Sequence, residues 1–359
     1  MFFPLATLYA IFVMPASVLA MLGLTRAFPA LASPIGHAHE MLFGFALAVV
    51  AGNQLGPMAV PRLTLLVVLW LIARVSFVVT THGITATAAS IAFAVLLAVH
   101  VTPRLFGAAK KWRNQALPMV LTAICASAVV LPLFMRFGST AAEHRTAAVA
   151  VLLFAVLMIF MGGRIIGPTA AGHFQRQGGT LEARVQPRIE GALLIVMAIA
   201  TVACAFTNAR TLAGAAIGAA GTLSVIRLMR WRLWELRGRP DLLCLAAGYG
   251  WLAAGLLLYG LALGAGRHET AVLHLITVGA LGTLTLNVMH MTWSLKARSN
   301  PARSPVPVWA TLFVGIAALL RLLAGMGVGE PRALLLGASF CWSFAFVLLL
   351  VRLLRLRSV

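Results

Sequence analysis

Almost end to end, the chain consists of apolar stretches of about 20 residues, the length of helix that crosses the hydrocarbon core of a bilayer. Twelve can be marked, at roughly 4–24, 37–57, 63–81, 83–101, 116–136, 145–163, 189–208, 211–229, 241–264, 269–293, 307–327 and 333–354. Nothing else in the sequence limits the fold so severely. In lipid every backbone polar group must be satisfied inside the protein, so such stretches become helices. The expected fold is all-α: a polytopic integral membrane helix bundle of about twelve transmembrane helices. Composition agrees, with 61% hydrophobic and only 10% charged residues, where a soluble domain carries about 25% charged. The first stretch has neither a basic start nor a small-residue cleavage site, so it reads as a helix that stays and not as a signal peptide.

The net charge of +20 raises the possibility of a nucleic-acid partner, and its distribution argues against one. Twenty of the 28 Lys and Arg fall in or beside alternate connections and the C-terminal end; six fall on the opposite set. That asymmetry follows the positive-inside rule and puts both termini in the cytoplasm, N-in and C-in. The basic face faces the lipid bilayer, where anionic headgroups are its natural contact. Cys125, Cys204, Cys244 and Cys341 stand singly in four stretches with no CxxC pair, so they read as small apolar residues.

The longest connection, Arg164 to Arg188, contains "GPTAAGHFQRQGG" and is expected to be a polar cytoplasmic loop. It divides one transmembrane domain, 1–359, into two six-helix halves, about 1–164 and 189–359. No repeat relates the halves. "VGALGTLT" (Val278 to Thr285) gathers small residues that permit either close helix approach or room for a flat ligand.

Ionisable groups inside a span are costly and usually face an interior site. "IGHAHEMLFGFALAVVAGNQ" puts His37, His39 and Glu40 at the mouth of the second stretch, and His274 lies about 7–8 Å into the tenth. These two groups meet at one level if their helices are neighbours. Imidazole is the common protein ligand of haem iron, copper and zinc. Positions two apart on a helix diverge by roughly 200°. Hence either one of His37 and His39 ligates while the other does something else, or Pro34 and Gly36 leave the first turn irregular. Glu40 is placed to accept the spare ring N–H of a ligating histidine. His82, His144 and His268 read as boundary residues. Arg74 lies within the third stretch and needs an anionic partner; a haem propionate or Glu190 are the candidates, since no acid stands out in a neighbouring span. Arg164 in "MGGRIIGP" and Arg321 pose the same question.

"HAHEMLFGFALAVVAG", "MGGRII" and "LHLITVGALGTLTLNVM" together resemble the NnrS family over essentially the whole chain. The resemblance implies a multi-pass protein of the bacterial inner (cytoplasmic) membrane that binds haem and copper and is linked to nitric oxide and nitrosative stress. Carried over residue by residue, it points to His37, His39 and Glu40, to Arg164 and to His274. Two departures stand out. Gly167 intervenes before Pro168, and the family's histidine-bearing element after the third motif is replaced by "HMTWSLKARS". Haem is therefore the first cofactor implied, with copper the one the departure puts in question.

Two functions compete. One is a haem-binding protein that handles nitric oxide, with His37 or His39 and His274 as axial candidates and Arg164 or Arg74 toward the propionates. The other is a permease for a small solute or metal, which twelve spans suit but the lack of repeats does not. No acid–base dyad or nucleophile–base pair marks the chain as an enzyme, and no protein partner is signalled.

Overall fold

The computed structural model describes residues 1–80, 83–236 and 238–357, and the expectation for His82 lies outside them. Among the described residues, twelve helices are long and apolar enough to cross a membrane, so the chain is a multi-pass membrane protein. They are α1 (Phe2–Met21), α2 (Pro34–Gln54), α3 (Val60–Val79), α4 (Ile84–Ala108), α5 (Trp112–Phe137) and α6 (Thr140–Arg176), then α7 (Pro187–Cys204), α8 (Arg210–Arg230), α9 (Pro240–Ala265), α10 (Glu269–Lys296), α11 (Val306–Met326) and α12 (Pro331–Arg357). Among the described residues there is no β-strand.

One expectation fails. The connection from Arg164 is not a loop at its start, because α6 continues through it to Arg176. Pro168 removes a single backbone donor from the ladder, and "TAAGHFQR" beyond it contains no second proline. Polar sequence ends a hydropathy stretch without ending a helix.

The chain folds into two compact units, Met1–Leu153 and Phe154–Val359. In the first, α1 packs along α2, α3 along α4, and α4 along α5. A 3-10 turn, Pro29–Ala32, folds back between α1 and α3. Its Ala30 and Leu31 join Val13, Ala16 and Ala20 of α1, Phe77 and Val78 of α3 and Ala86 of α4 in one apolar cluster.

In the second unit, α8 packs on α9 and α11 on α12, with α10 against α9, α11 and α12. Glycine sets the α8–α9 distance. A β-carbon at Gly260 would lie 2.5 Å from the Gly218 nitrogen, and one at Gly221 would lie 2.4 Å from the Leu257 nitrogen. Backbone thus meets backbone, as small residues allow in membrane helices. The "VGALG" stripe is filled differently. Gly279 faces the Trp251 ring at 3.0 Å and Gly282 faces Trp342 at 2.6 Å, both measured from a would-be β-carbon. Two indoles occupy that space, so the stripe is a packing surface.

Both histidine motifs lead into irregular helix. α2 is regular through His39, becomes a π-helix over Glu40–Ala46 and is regular again from Leu47. α10 does the same after His274, over Leu275–Gly282. Such i→i+5 segments are rare and collect at functional sites. In each, a glycine (Gly44, Gly279) stands five residues after the histidine.

Candidate functional site

The first turn of α2 is ordinary: Ser33 caps it, its Oγ accepting from the Gly36 N–H at 3.0 Å, and Pro34 fits at the start. Of the two alternatives left open, an irregular first turn at Pro34 and Gly36 does not occur; the irregularity lies one turn later, in the π segment. A β-carbon at Gly36 would lie 1.9 Å from the Ala30 carbonyl oxygen, so glycine there lets the 3-10 turn press against the entrance of α2.

His39 and Glu40 are both fully buried, whereas His37 is half-buried at the mouth. Glu40 organises the site. Its Oε1 accepts from His39 Nδ1 at 2.7 Å and from Arg74 Nη1 at 2.5 Å, and its Oε2 accepts from the Tyr9 hydroxyl. Arg74 Nη2 donates to Ser90 Oγ at 2.8 Å. Four helices, α1 to α4, thus each contribute a side chain. The anionic partner that Arg74 requires is Glu40 itself, in a neighbouring span where sequence reading found none. Glu190 belongs to the second unit, 3.9 Å from Arg227.

A carboxylate only accepts, so Nδ1 of His39 carries the hydrogen and Nε2 keeps its lone pair. That Nε2 is buried and has no hydrogen-bond partner. The ring is stacked on Phe77, centroids 4.5 Å apart, with Phe43 edge-on at 5.8 Å. Trp70 braces the π segment, its Nε1 donating to the Gly44 carbonyl at 2.9 Å, and meets Tyr9 edge to face. The imidazole is therefore fixed in tautomer and orientation, the state in which ligating histidines are held.

A small cleft adjoins it, lined by His39, Phe77, Gly83, Ala86, Thr87, Ser90, Pro132 and Met135. The room in it is that of about one water molecule, so a larger ligand requires its walls to move. Its walls are mainly apolar, with the hydroxyls of Thr87 and Ser90 and the imidazole as polar exceptions.

The other predicted residues lie in the second unit. Arg164 is exposed, its guanidinium 4.8 Å over the Phe160 ring. His274 is half-buried, and its Nδ1–H donates to the Thr270 carbonyl one turn back. His290, left open in the sequence, is buried at 1% exposure with Nε2 unpartnered. Tyr9 and Ser90 were missed by sequence reasoning. A tyrosine in an apolar helix is an ordinary residue until an acid is known to face it.

Among the described residues no three His, Cys, Asp or Glu side chains group so as to hold a metal ion. The arrangement offers one prepared nitrogen donor beside a mainly apolar cleft. No curated protein matches the chain. The family model described as NnrS protein matches residues 1–357, which cover all three motifs and every residue of this site. The chain belongs to the NnrS family.

Proposed function

We propose that this protein is a haem-binding protein of the bacterial inner membrane, acting in the response to nitric oxide or nitrosative stress, with His39 as a ligand to the iron. One observation carries the reading: a fully buried imidazole whose Nδ1–H is committed to Glu40 and whose Nε2 has no partner. Iron in a porphyrin already has four nitrogen ligands and asks the protein only for axial ones, so a lone prepared imidazole suits haem better than a bare ion, which needs several protein ligands. When bound, ferrous haem with an open position takes nitric oxide.

The protein's own residues do the rest. Glu40 keeps the donor hydrogen off Nε2 and makes the imidazole more electron-rich. Arg74 and Tyr9 donate to Glu40, and Ser90 holds Arg74 in place. Phe43 and Phe77 exclude water. Admitting a macrocycle requires Phe77 or Met135 to move, since the cleft is small. Copper is the second metal of this reading, and the thioether of Met135 in the same cleft wall is a soft ligand suited to it. The charge asymmetry supports an orientation with both termini in the cytoplasm.

The full chain purified from haem-sufficient cells is expected to show a Soret band that shifts on adding nitric oxide to the reduced protein. Metal analysis of the same sample measures iron and copper per chain. A folded but colourless protein under those conditions contradicts the proposal and favours the permease.

A further inference from the structure

"MGGRII" draws attention to its arginine, yet Arg164 is exposed, and it is the glycines beside it that face the interior. A β-carbon at Gly162 would lie 2.7 Å from the Tyr249 ring, and one at Gly163 would lie 2.0 Å from Arg227 Nη2. The two glycines hollow out α6 so that a tyrosine from α9 and a guanidinium from α8 can reach into it.

What they reach into is a buried box short of acceptors. Arg227 is 3% exposed and makes a hydrogen bond from Nη1 to the Ile159 carbonyl at 3.0 Å, while its Nε has no partner. The Tyr249 and Ser224 hydroxyls are fully buried and lie close to each other and to Arg227, but neither has a partner within hydrogen-bonding distance. Glu190 Oε1 stands 3.9 Å from Nη2, beyond hydrogen-bonding distance. Trp231 closes one side, 5.2 Å from the guanidinium and edge-on to Tyr249.

We propose that this box, in the second unit and separate from His39, binds a small planar oxyanion or carboxylate. The guanidinium fork matches two coplanar oxygens, and the two hydroxyls supply further donors to the same acceptor. A neutral ligand such as water would satisfy the hydroxyls but would not match the charge of the guanidinium, whose ion pair with Glu190 is long at 3.9 Å. Burial excludes a bulky headgroup and limits the ligand to a few atoms. Exposed Arg184, Arg188 and Arg230, close in sequence to the buried residues, give the approach a positive potential. Glu190 is the resting counter-ion and competes with the incoming anion.

That competition makes the test sharp. Calorimetric titration of the full chain in detergent uses sodium formate and sodium nitrate at constant ionic strength, with chloride as the control. Both planar anions are expected to bind and chloride not to. Tyr249→Phe is expected to weaken binding about tenfold while leaving the helix packing intact. Gly163→Ala is expected to abolish it, because its methyl takes the space of Nη2. Glu190→Gln is expected to tighten binding about tenfold, an outcome that a merely structural Glu190–Arg227 pair would not give. Absence of formate and nitrate binding to both the wild type and a folded Glu190→Gln variant overturns the proposal. So does a Glu190→Gln variant that binds more weakly than the wild type.

Discussion

Replacing Glu40 with alanine is expected to destabilise the protein by about 3–5 kcal/mol, the range for removing one partner of a buried ion pair. Three donors lose their acceptor at once: the His39 Nδ1–H, the Arg74 guanidinium and the Tyr9 hydroxyl. Of these Arg74 dominates, since it is a full charge at 2% exposure with Ser90 as its remaining side-chain partner. Removing the charge as well reverses much of the loss. The Glu40→Ala, Arg74→Met double variant is therefore expected to be more stable than Glu40→Ala alone, because the two sites are coupled. Unfolding midpoints of the wild type, Glu40→Ala, Arg74→Met and the double variant in detergent, followed by circular dichroism, measure this. Equal or additive losses would mean that the Arg74–Glu40 contact contributes nothing.

Gly36→Ala is the second large effect, at about 3 kcal/mol, the upper part of the range for forcing a methyl into packed space. The methyl would lie 1.9 Å from the Ala30 carbonyl, which is backbone and cannot swing aside as a side-chain tip would. Either the 3-10 turn Pro29–Ala32 lifts off, exposing Leu31, or the first turn of α2 shifts and carries His37 and His39 with it. Both outcomes loosen the closure above the site. A lower unfolding midpoint together with faster proteolysis between α1 and α2 is the expected result. A variant as stable as the wild type would show that this turn is free to give.

The twelve spans were legible because lipid demands long apolar helices, and hydropathy measures that demand directly. The end of α6 was not. Hydropathy falls at Arg164, whereas the helix depends on backbone hydrogen bonds that continue past Pro168 to Arg176. Arg227 was not singled out: it is a charge in the last turn of α8, and only packing reveals that Gly163 makes room for it.

The histidine–glutamate cluster was visible as an oddity, polar residues at the head of an apolar helix. Its partners were not, since Tyr9 lies 31 and Arg74 lies 34 residues away along the chain. Depth would have paired one of them. Glu40 stands six residues into α2 and Arg74 five residues before the end of α3, about 7–9 Å from the same end of the two helices. The π segments after His39 and His274 left no compositional trace, because one extra residue per turn changes no residue type.

The most direct test of His39 as the ligand-bearing residue is chemical rescue. In His39→Gly the carboxylate, arginine and tyrosine remain and only the imidazole is gone. This variant is expected to lose or shift the Soret band of the wild type, and added free imidazole is expected to restore it. A His39→Gly protein with an unchanged spectrum, and no response to imidazole, would contradict it.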